Sequence, residues 1–335
     1  MRVFIVGFGN VGREAALLVH STSCLELAGA ASSKGAVIAG KGADAADLAL
    51  LASRGERLEK HREFREGIGA VEAALEAAAD YAIIAIPPSY KTGEPNKSIV
   101  LGLLSYGIGV GLADKTVPAL YYDELVETAE SRRAPLGLRA TVMAGTPATD
   151  VAKALAPRGI EAIRGVLNAT TNYIITMVEE GLTFKEAISR AVEYKLAEPD
   201  PTVDTHGLDA AAKLVILAKL AGHRASLRDV ERVPLESVPE DEVRAAKRRG
   251  ARVRYVATAD LSSSKMKVAP EIVEATSPLG IVEKEYNAVE FILEGGSTVT
   301  LAGPTGPAWR TARVLVAEAF EAAGCTEERL PRARP

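Results

Sequence analysis

Between residues 208 and 218 the sequence reads LDAAAKLVILA, and Asp209 and Lys213 are its only polar side chains. Standing four apart, they share one face of any helix formed there. Taken alone, such a pair is either an i,i+4 ion pair on a solvated stripe or two groups facing a cleft. The segment before it, Ala197-Glu198-Pro199-Asp200-Pro201-Thr202-Val203-Asp204, is stiff and rich in acids. Acids and one lysine converging beside an otherwise apolar helix suit a zwitterionic substrate, with carboxylates for an ammonium and the lysine for an oxygen. His206 sits in the same loop and reads as a loop histidine near such a site. Lys115 follows the short apolar run Val110-Gly111-Leu112-Ala113. Open α/β sheets bind ligands beyond the carboxyl ends of their parallel strands, so Lys115 reads equally as a functional group or a loop charge.

A second constellation would bind rather than react. Gly7-Phe8-Gly9-Asn10-Val11-Gly12 is a G-x-G-x-x-G run set directly between an apolar strand and a helical pattern. Glycines at that spacing allow a tight turn and let the backbone approach a pyrophosphate at the helix N-terminus. An NAD-specific site usually ends its second strand on an acid that holds the ribose 2′-hydroxyl. Here that stretch reads Ala30-Ala31-Ser32-Ser33-Lys34, with no acid between Glu26 and Asp44. Ser32 and Ser33 can donate to a 2′-phosphate and Lys34 can balance its charge, so NADP is favoured over NAD. The other reading of Lys34 is a solvated loop lysine in a site that takes both cofactors. Pro87, which stops the apolar run Ala82-Ile83-Ile84-Ala85-Ile86, is counted among the cofactor contacts.

These groups need elements to hold them. Residues 2–6, 25–31, 82–86 and 110–113 read as buried strands, with a helix over 11–20 after the glycine turn. Strands alternating with helices predict a doubly wound Rossmann dinucleotide-binding domain over residues 1–140. Beyond Pro147 the pattern changes. Thr183-Phe184-Lys185-Glu186 is a capping box that starts a helix toward Tyr194, and a second helix over 208–220 ends near Gly222. Strand-like runs at 253–259, 266–268, 289–293 and 298–301 complete a smaller α+β domain over 141–302. Residues 303–335 are expected to return to the first domain, with a helix over 309–323 capped by Gly324.

Composition narrows the classes. At 335 residues two domains are the natural expectation. A net charge of -4 gives no field for nucleic acid. The basic run Arg244, Lys247, Arg248, Arg249, Arg252 and Arg254 follows Glu240-Asp241-Glu242 and reads as a solvated helix. No apolar span approaches a membrane helix, and the glycines cut the first apolar run short of a signal peptide, so a cytoplasmic protein is expected. Two cysteines, Cys24 and Cys325, make neither a disulfide framework nor a zinc site, and neither is placed to be a nucleophile. That argues against a phosphorylating aldehyde dehydrogenase, which needs a cysteine. Glutamine is absent, as in heat-stable proteins or under GC-rich coding.

Together these residues resemble the homoserine dehydrogenase family. Gly111-Leu112-Ala113-Asp114-Lys115 looks like its Val-Thr-Ala-Asn-Lys signature, and Thr141-Val142-Met143-Ala144-Gly145-Thr146-Pro147 its segment before the substrate domain. Gly165-Val166-Leu167-Asn168-Ala169-Thr170-Thr171-Asn172-Tyr173-Ile174 is similar to its G-x-x-N-G-T-T-N-Y-I motif. Residues 197–213, AEPDPTVDTHGLDAAAK, resemble A-E-x-D-P-x-x-D-x-x-G-x-D-x-x-x-K almost position for position. Asn287-Ala288-Val289 fits a late strand of the substrate domain.

The resemblance implies interconversion of L-homoserine and L-aspartate 4-semialdehyde with NADP or NAD, in threonine and methionine biosynthesis. It implies that Glu198 and Asp204 hold the substrate ammonium and that Asp209 lies near the reacting oxygen. Lys115 and Lys213 would bind substrate oxygens and handle the hydroxyl proton. Backbone carbonyls of Val142, Ala144 and Thr146 would hold a monovalent cation such as Na+, and the protein would be a homodimer. Asp114 stands where Asn is usual and Ala169 where Gly is usual. The turn Gly303-Pro304-Thr305-Gly306-Pro307 keeps only the first residue of a G-x-G-A-G pattern near the cofactor. A cofactor sensor without turnover is the alternative from a different class. About a dozen residues remain after the returning helix, too few for a regulatory module, so no threonine inhibition through a regulatory domain is expected.

Overall fold

The computed structural model describes residues 1–40, 43–326 and 330–331 of the chain. Their contacts divide them into two units, Met1–Ala144 with Gly306–Pro335, and Gly145–Thr305.

The first unit runs β1 (Arg2–Val6), α1 (Asn10–His20), β2 (Glu26–Ser32), β3 (Gly35–Ile38), α2 (Ala43–Ser53), β4 (Phe64–Glu66), α3 (Ala70–Glu76), β5 (Tyr81–Ile84), α4 (Asn96–Ser105), β6 (Gly109–Leu112), α5 (Thr116–Arg132) and β7 (Leu136–Gly137). The strands form one sheet in the order β4-β3-β2-β1-β5-β6-β7. From β2 to β7 neighbouring strands are parallel, and β1, β5 and β6 are almost wholly buried, as unbroken apolar runs covered on both faces should be. β3 and β4 extend the sheet antiparallel, the first through a two-residue turn, Ser33-Lys34, between the paired Ser32 and Gly35. Sequence patterning misses both, because each is too short to show a period.

The second unit contains α6 (Ala148–Leu155), β8 (Ile160–Val166), α7 (Ala169–Glu179), α8 (Phe184–Glu193), α9 (Thr202–Thr205), α10 (Leu208–Leu220), β9 (Val230–Arg232), α11 (Glu240–Arg248), β10 (Ala251–Asp260), β11 (Lys265–Glu274), β12 (Tyr286–Leu293) and β13 (Thr298–Pro304). Its sheet runs β13-β12-β8-β10-β11-β9, antiparallel except where β9 joins β11. Both halves of the Thr183–Glu186 capping box form at the start of α8. α10 is buried almost end to end, because its apolar residues run all round it.

Here the structure corrects the reading of the basic run. The helix ends at Arg248, and Arg252 and Arg254 lie on β10. Arg254 is fully buried, donating to Glu179 Oε1 at 2.9 Å and to the Gly280 carbonyl at 2.9 Å. Arg252 pairs with Glu179 and Glu283. The acid that satisfies both guanidinium groups stands on α7, more than 70 residues away.

A last helix, α12 (Ala308–Ala322), belongs to the first unit. Its Ala312, Leu315, Val316 and Ala319 enter the same core as Ile5, Ala15, Ala16 and Val19 of β1 and α1. Just beyond it Cys325 is disulfide-bonded to Cys24, across a sequence separation of 301. Among the described residues no helix is long and apolar enough to cross a membrane.

Candidate active site

In the first unit the glycine turn is built as its spacing requires. Gly7 has φ +96°, and a Cβ there would stand 2.4 Å from the Ala85 carbonyl oxygen. A Cβ on Gly12 would lie 1.8 Å from the Gly7 oxygen, so α1 packs on the turn with no room for a side chain. Gly9 is different: a Cβ there would meet nothing within 4 Å. It precedes α1, whose N-terminus has no side-chain cap and no acid in its first turn. Open space before uncapped backbone N–H groups fits the pyrophosphate of a dinucleotide. Phe8 is buried, Val11 half-buried, and Asn10 exposed. The Asn10 Oδ1 accepts from Arg13 Nη2 at 2.9 Å, which sets a cation beside the helix start. Sequence reasoning passed over Arg13, whose only signal is a basic residue directly after the third glycine.

The Gly7 N–H donates to the Ala31 carbonyl at 2.9 Å, so the turn adjoins the carboxyl end of β2. Ser32, Ser33 and Lys34 follow there, with the Ser32 hydroxyl accepting from the Lys34 N–H at 3.2 Å and Ser33 exposed. The Lys34 ammonium pairs with Glu59 Oε1 at 3.1 Å. Glu59 is thus an acid at the tip of this hairpin that the linear sequence did not put there, and its carboxyl is held below the usual range by its own backbone N–H and by Lys34. Pro87 is exposed after β5, its carbonyl accepting from Asn96 Nδ2 at 2.9 Å. Lys115 is half-buried between β6 and α5. Its neighbour Asp114 is buried and caps α5, accepting from the N–H groups of Thr116 at 3.2 Å and Val117 at 2.9 Å. Asp in place of the family's Asn therefore suits the positive end of a helix. Val142 is buried and Ala144 half-buried, following a 3-10 turn over Arg139–Thr141.

In the second unit the acids and the lysine come together. Lys213 Nζ lies 2.7 Å from Asp209 Oδ2 and donates to the Leu167 carbonyl at 2.7 Å. The i,i+4 pair therefore exists, but Asp209 is 5% and Lys213 8% exposed, so it does not lie on a solvated stripe. Asn168 Nδ2 donates to Asp209 Oδ2 at 2.9 Å and to Asp204 Oδ1 at 2.6 Å. Glu198 stands exposed on the loop before α9, outside this hydrogen-bonded set, and His206 is exposed on a surface hollow with Val203 and Arg232. Other motif residues have structural duties. Asn287 Nδ2 ties β12 to the Val166 carbonyl at 2.6 Å, and Asn172 Nδ2 donates to the Tyr286 carbonyl at 3.0 Å. Gly207 has φ +75°, and a Cβ there would lie 2.6 Å from the Tyr255 hydroxyl oxygen. Gly303 is closed in by the Thr146 methyl, 2.7 Å from where a Cβ would stand.

A buried carboxylate paired with an ammonium at the start of an apolar helix, joined through one amide to a second, half-buried carboxylate, can hold a substrate ammonium and manage a proton at an oxygen. Comparison with known proteins agrees with that chemistry. Residues 148–319 match the family described as homoserine dehydrogenase. The chain is 32% identical over 338 residues to the NAD(+)-dependent homoserine dehydrogenase of Pseudomonas canavaninivorans, covering 95% of this chain and 94% of that one. It is 29% identical over 310 residues to the homoserine dehydrogenase of Sulfurisphaera tokodaii, covering 92% and 94%. Its fold is similar, at a TM-score of 0.82 and 26% identity over 99% of both chains, to a hyperthermophilic archaeal homoserine dehydrogenase mutant solved in complex with NADPH.

Proposed function

Since the chain belongs to the homoserine dehydrogenase family, we propose that the cluster at the start of α10 binds L-homoserine for its NAD(P)-dependent oxidation to L-aspartate 4-semialdehyde, and the semialdehyde for the reverse reaction. The observation that carries this is the linked set of buried Asn168, Asp209 and Lys213 with half-buried Asp204 at its edge. A sensor without turnover has no use for a buried ammonium held between a carboxylate and a carbonyl.

Oxidation removes a hydride from the terminal carbon of homoserine and a proton from its hydroxyl. The nicotinamide cofactor, when bound, takes the hydride or returns it. The proton needs a positioned acceptor, because the alcohol does not lose hydride while keeping it. Lys213 and Lys115 bind the substrate oxygens. The lysine that accepts the proton does so as a neutral amine and becomes the ammonium, which returns it in the reverse reaction, and Asp209 stabilises the Lys213 ammonium. Asp204 and Glu198 take the substrate ammonium, Glu198 from an exposed loop position that suits capture of a ligand from solvent.

The cofactor is held by Gly7, Phe8, Gly9, Asn10, Val11 and Gly12, with Pro87, Lys115 and Gly303 lining it and Arg13 adding a cation beside the pyrophosphate. NADP is preferred over NAD through Ser32, Ser33 and Lys34, and the Glu59 carboxylate moderates that preference by sharing the Lys34 charge. Carbonyls of Val142, Ala144 and Thr146 hold a monovalent cation such as Na+. The first unit is the dinucleotide-binding domain, and the second binds substrate and forms a homodimer. The enzyme works in the cytoplasm, in threonine and methionine biosynthesis, with no nucleic-acid or membrane partner. A spectrophotometric assay of NADPH oxidation with aspartate semialdehyde, repeated in the homoserine direction, tests the reaction. No turnover in either direction would overturn it.

A further inference from the structure

We propose that Asn168 is a positioning residue for the reaction: its amide orients Asp204 for the substrate ammonium and Asp209 for the Lys213 ammonium, adding no charge to either. The inference rests on the function proposed above. Asn168 precedes α7, and its Oδ1 accepts from the Thr171 N–H at 2.8 Å, capping that helix. The cap fixes which way the amide faces. A flipped amide would set its NH₂ against the Thr171 N–H and its oxygen against two carboxylates. Nδ2 therefore points at the acids, and its two hydrogens match the two contacts, Asp204 Oδ1 at 2.6 Å and Asp209 Oδ2 at 2.9 Å. These acids stand on different elements, Asp204 on α9 and Asp209 in the first turn of α10. One neutral, buried side chain thus sets the spacing between two carboxyl groups, one buried and one half-buried.

The chemical choice matters. A lysine or arginine at position 168 could also bridge two carboxylates, but it would cancel the charge that draws in an ammonium. An amide donates two N–H bonds and adds no charge, so it leaves Asp204 to a substrate ammonium and Asp209 to Lys213. The charged groups facing Asn168 are Asp204 from α9 and Asp209 from α10. Lys213 pairs with Asp209 and donates to the Leu167 carbonyl beside Asn168, and His206 follows Asp204 on the exposed side.

Two substitutions keep the helix cap and remove the donor pair. Asn168→Ser retains a capping oxygen, and Asn168→Asp keeps shape and cap but adds a third carboxyl. Isothermal titration with L-homoserine reads affinity without turnover, and NADP titration serves as the control. Asn168→Ser is expected to weaken homoserine binding roughly ten- to a hundredfold, as loss of hydrogen bonds to charged groups does, with NADP binding unchanged. Asn168→Asp is expected to weaken it as much at pH 8, and to recover part of the loss as pH falls and the new carboxyl gains a proton to donate. A purely structural role would give neither the pH-dependent recovery nor the split between substrate and cofactor. Homoserine affinity within a factor of two of wild type in both variants overturns the proposal. A wild-type protein that binds homoserine yet never reduces NADP overturns the reaction, and leaves the Asn168 comparison readable.

Discussion

Lys213 shows how burial changes what a residue is expected to do. An exposed i,i+4 pair contributes a few tenths of a kcal/mol, and its loss would barely register. Here the ammonium is buried and held between Asp209 and the Leu167 carbonyl. Lys213→Ala is expected to lower turnover by roughly 10²–10⁴-fold, the usual worth of a positioned acid–base group. It also leaves the buried Asp209 charge uncompensated, so the melting temperature should fall as well. NADP affinity, measured on the folded variant, should stay near normal, and activity above about a tenth of wild type would refute the role. Lys34 and Glu59 make a milder case. Removing the acid leaves the lysine charge whole for a 2′-phosphate, so Glu59→Gln should raise the NADP-to-NAD affinity ratio several-fold. Lys34→Ala should lower it, and unchanged ratios in both variants would detach this hairpin from cofactor choice.

Helices and turns respond to different physical terms. The three glycines of the first turn share a motif and not a duty. Gly12→Ala drives a Cβ into the Gly7 carbonyl and should yield a destabilised protein. Gly9→Ala meets open space, so the fold should melt within a few degrees of wild type while NADP binding weakens at least tenfold, because that space is where the backbone must approach phosphate. Comparing thermal melts with cofactor titration separates the two; a Gly9→Ala protein with normal NADP affinity would put the pyrophosphate elsewhere. Gly207 serves the other unit. Its positive φ and the nearness of the Tyr255 hydroxyl make Gly207→Ala costly by about 1–3 kcal/mol, with α9 and α10 the elements disturbed.

The molecule as a whole carries a covalent tie at the end of α12. Cys24 and Cys325 close a loop with a sequence separation of 301 inside the first unit. On a chain-entropy view, a link over so long a loop can contribute on the order of 5 kcal/mol by restricting the unfolded state. Cys325→Ser, or reduction by dithiothreitol, should therefore lower the melting temperature while homoserine binding in the folded enzyme stays unchanged. An unaltered melt would show that α12 is held by its apolar face alone. Disulfides are rare in reducing compartments except in proteins of hyperthermophiles, and a chain without glutamine is compatible with that exception. The dimer is tested at the same scale: sedimentation should report twice the mass of the 35.2 kDa chain.

How much of this was legible in the sequence follows from the range of each interaction. The glycine turn, the apolar run of β5, the Thr183 capping box and the bounds of α10 are set by neighbours within a few residues, so type and spacing reveal them. The pairing of Asp209 with Lys213 is legible for the same reason. Arg254 escaped, because its charge is met by Glu179 from another element, and so did the pairing of Cys24 with Cys325. Glu59 sits 25 residues past Lys34 and reaches it only because the sheet brings the two together. Asn168 lies 36 and 41 residues from the acids it bridges, and its own sequence context shows only a helix cap. Contacts of that range leave no period in the chain. Only the packing of α7, α9 and α10 decides that one amide meets two carboxylates and that their lysine is buried rather than solvated.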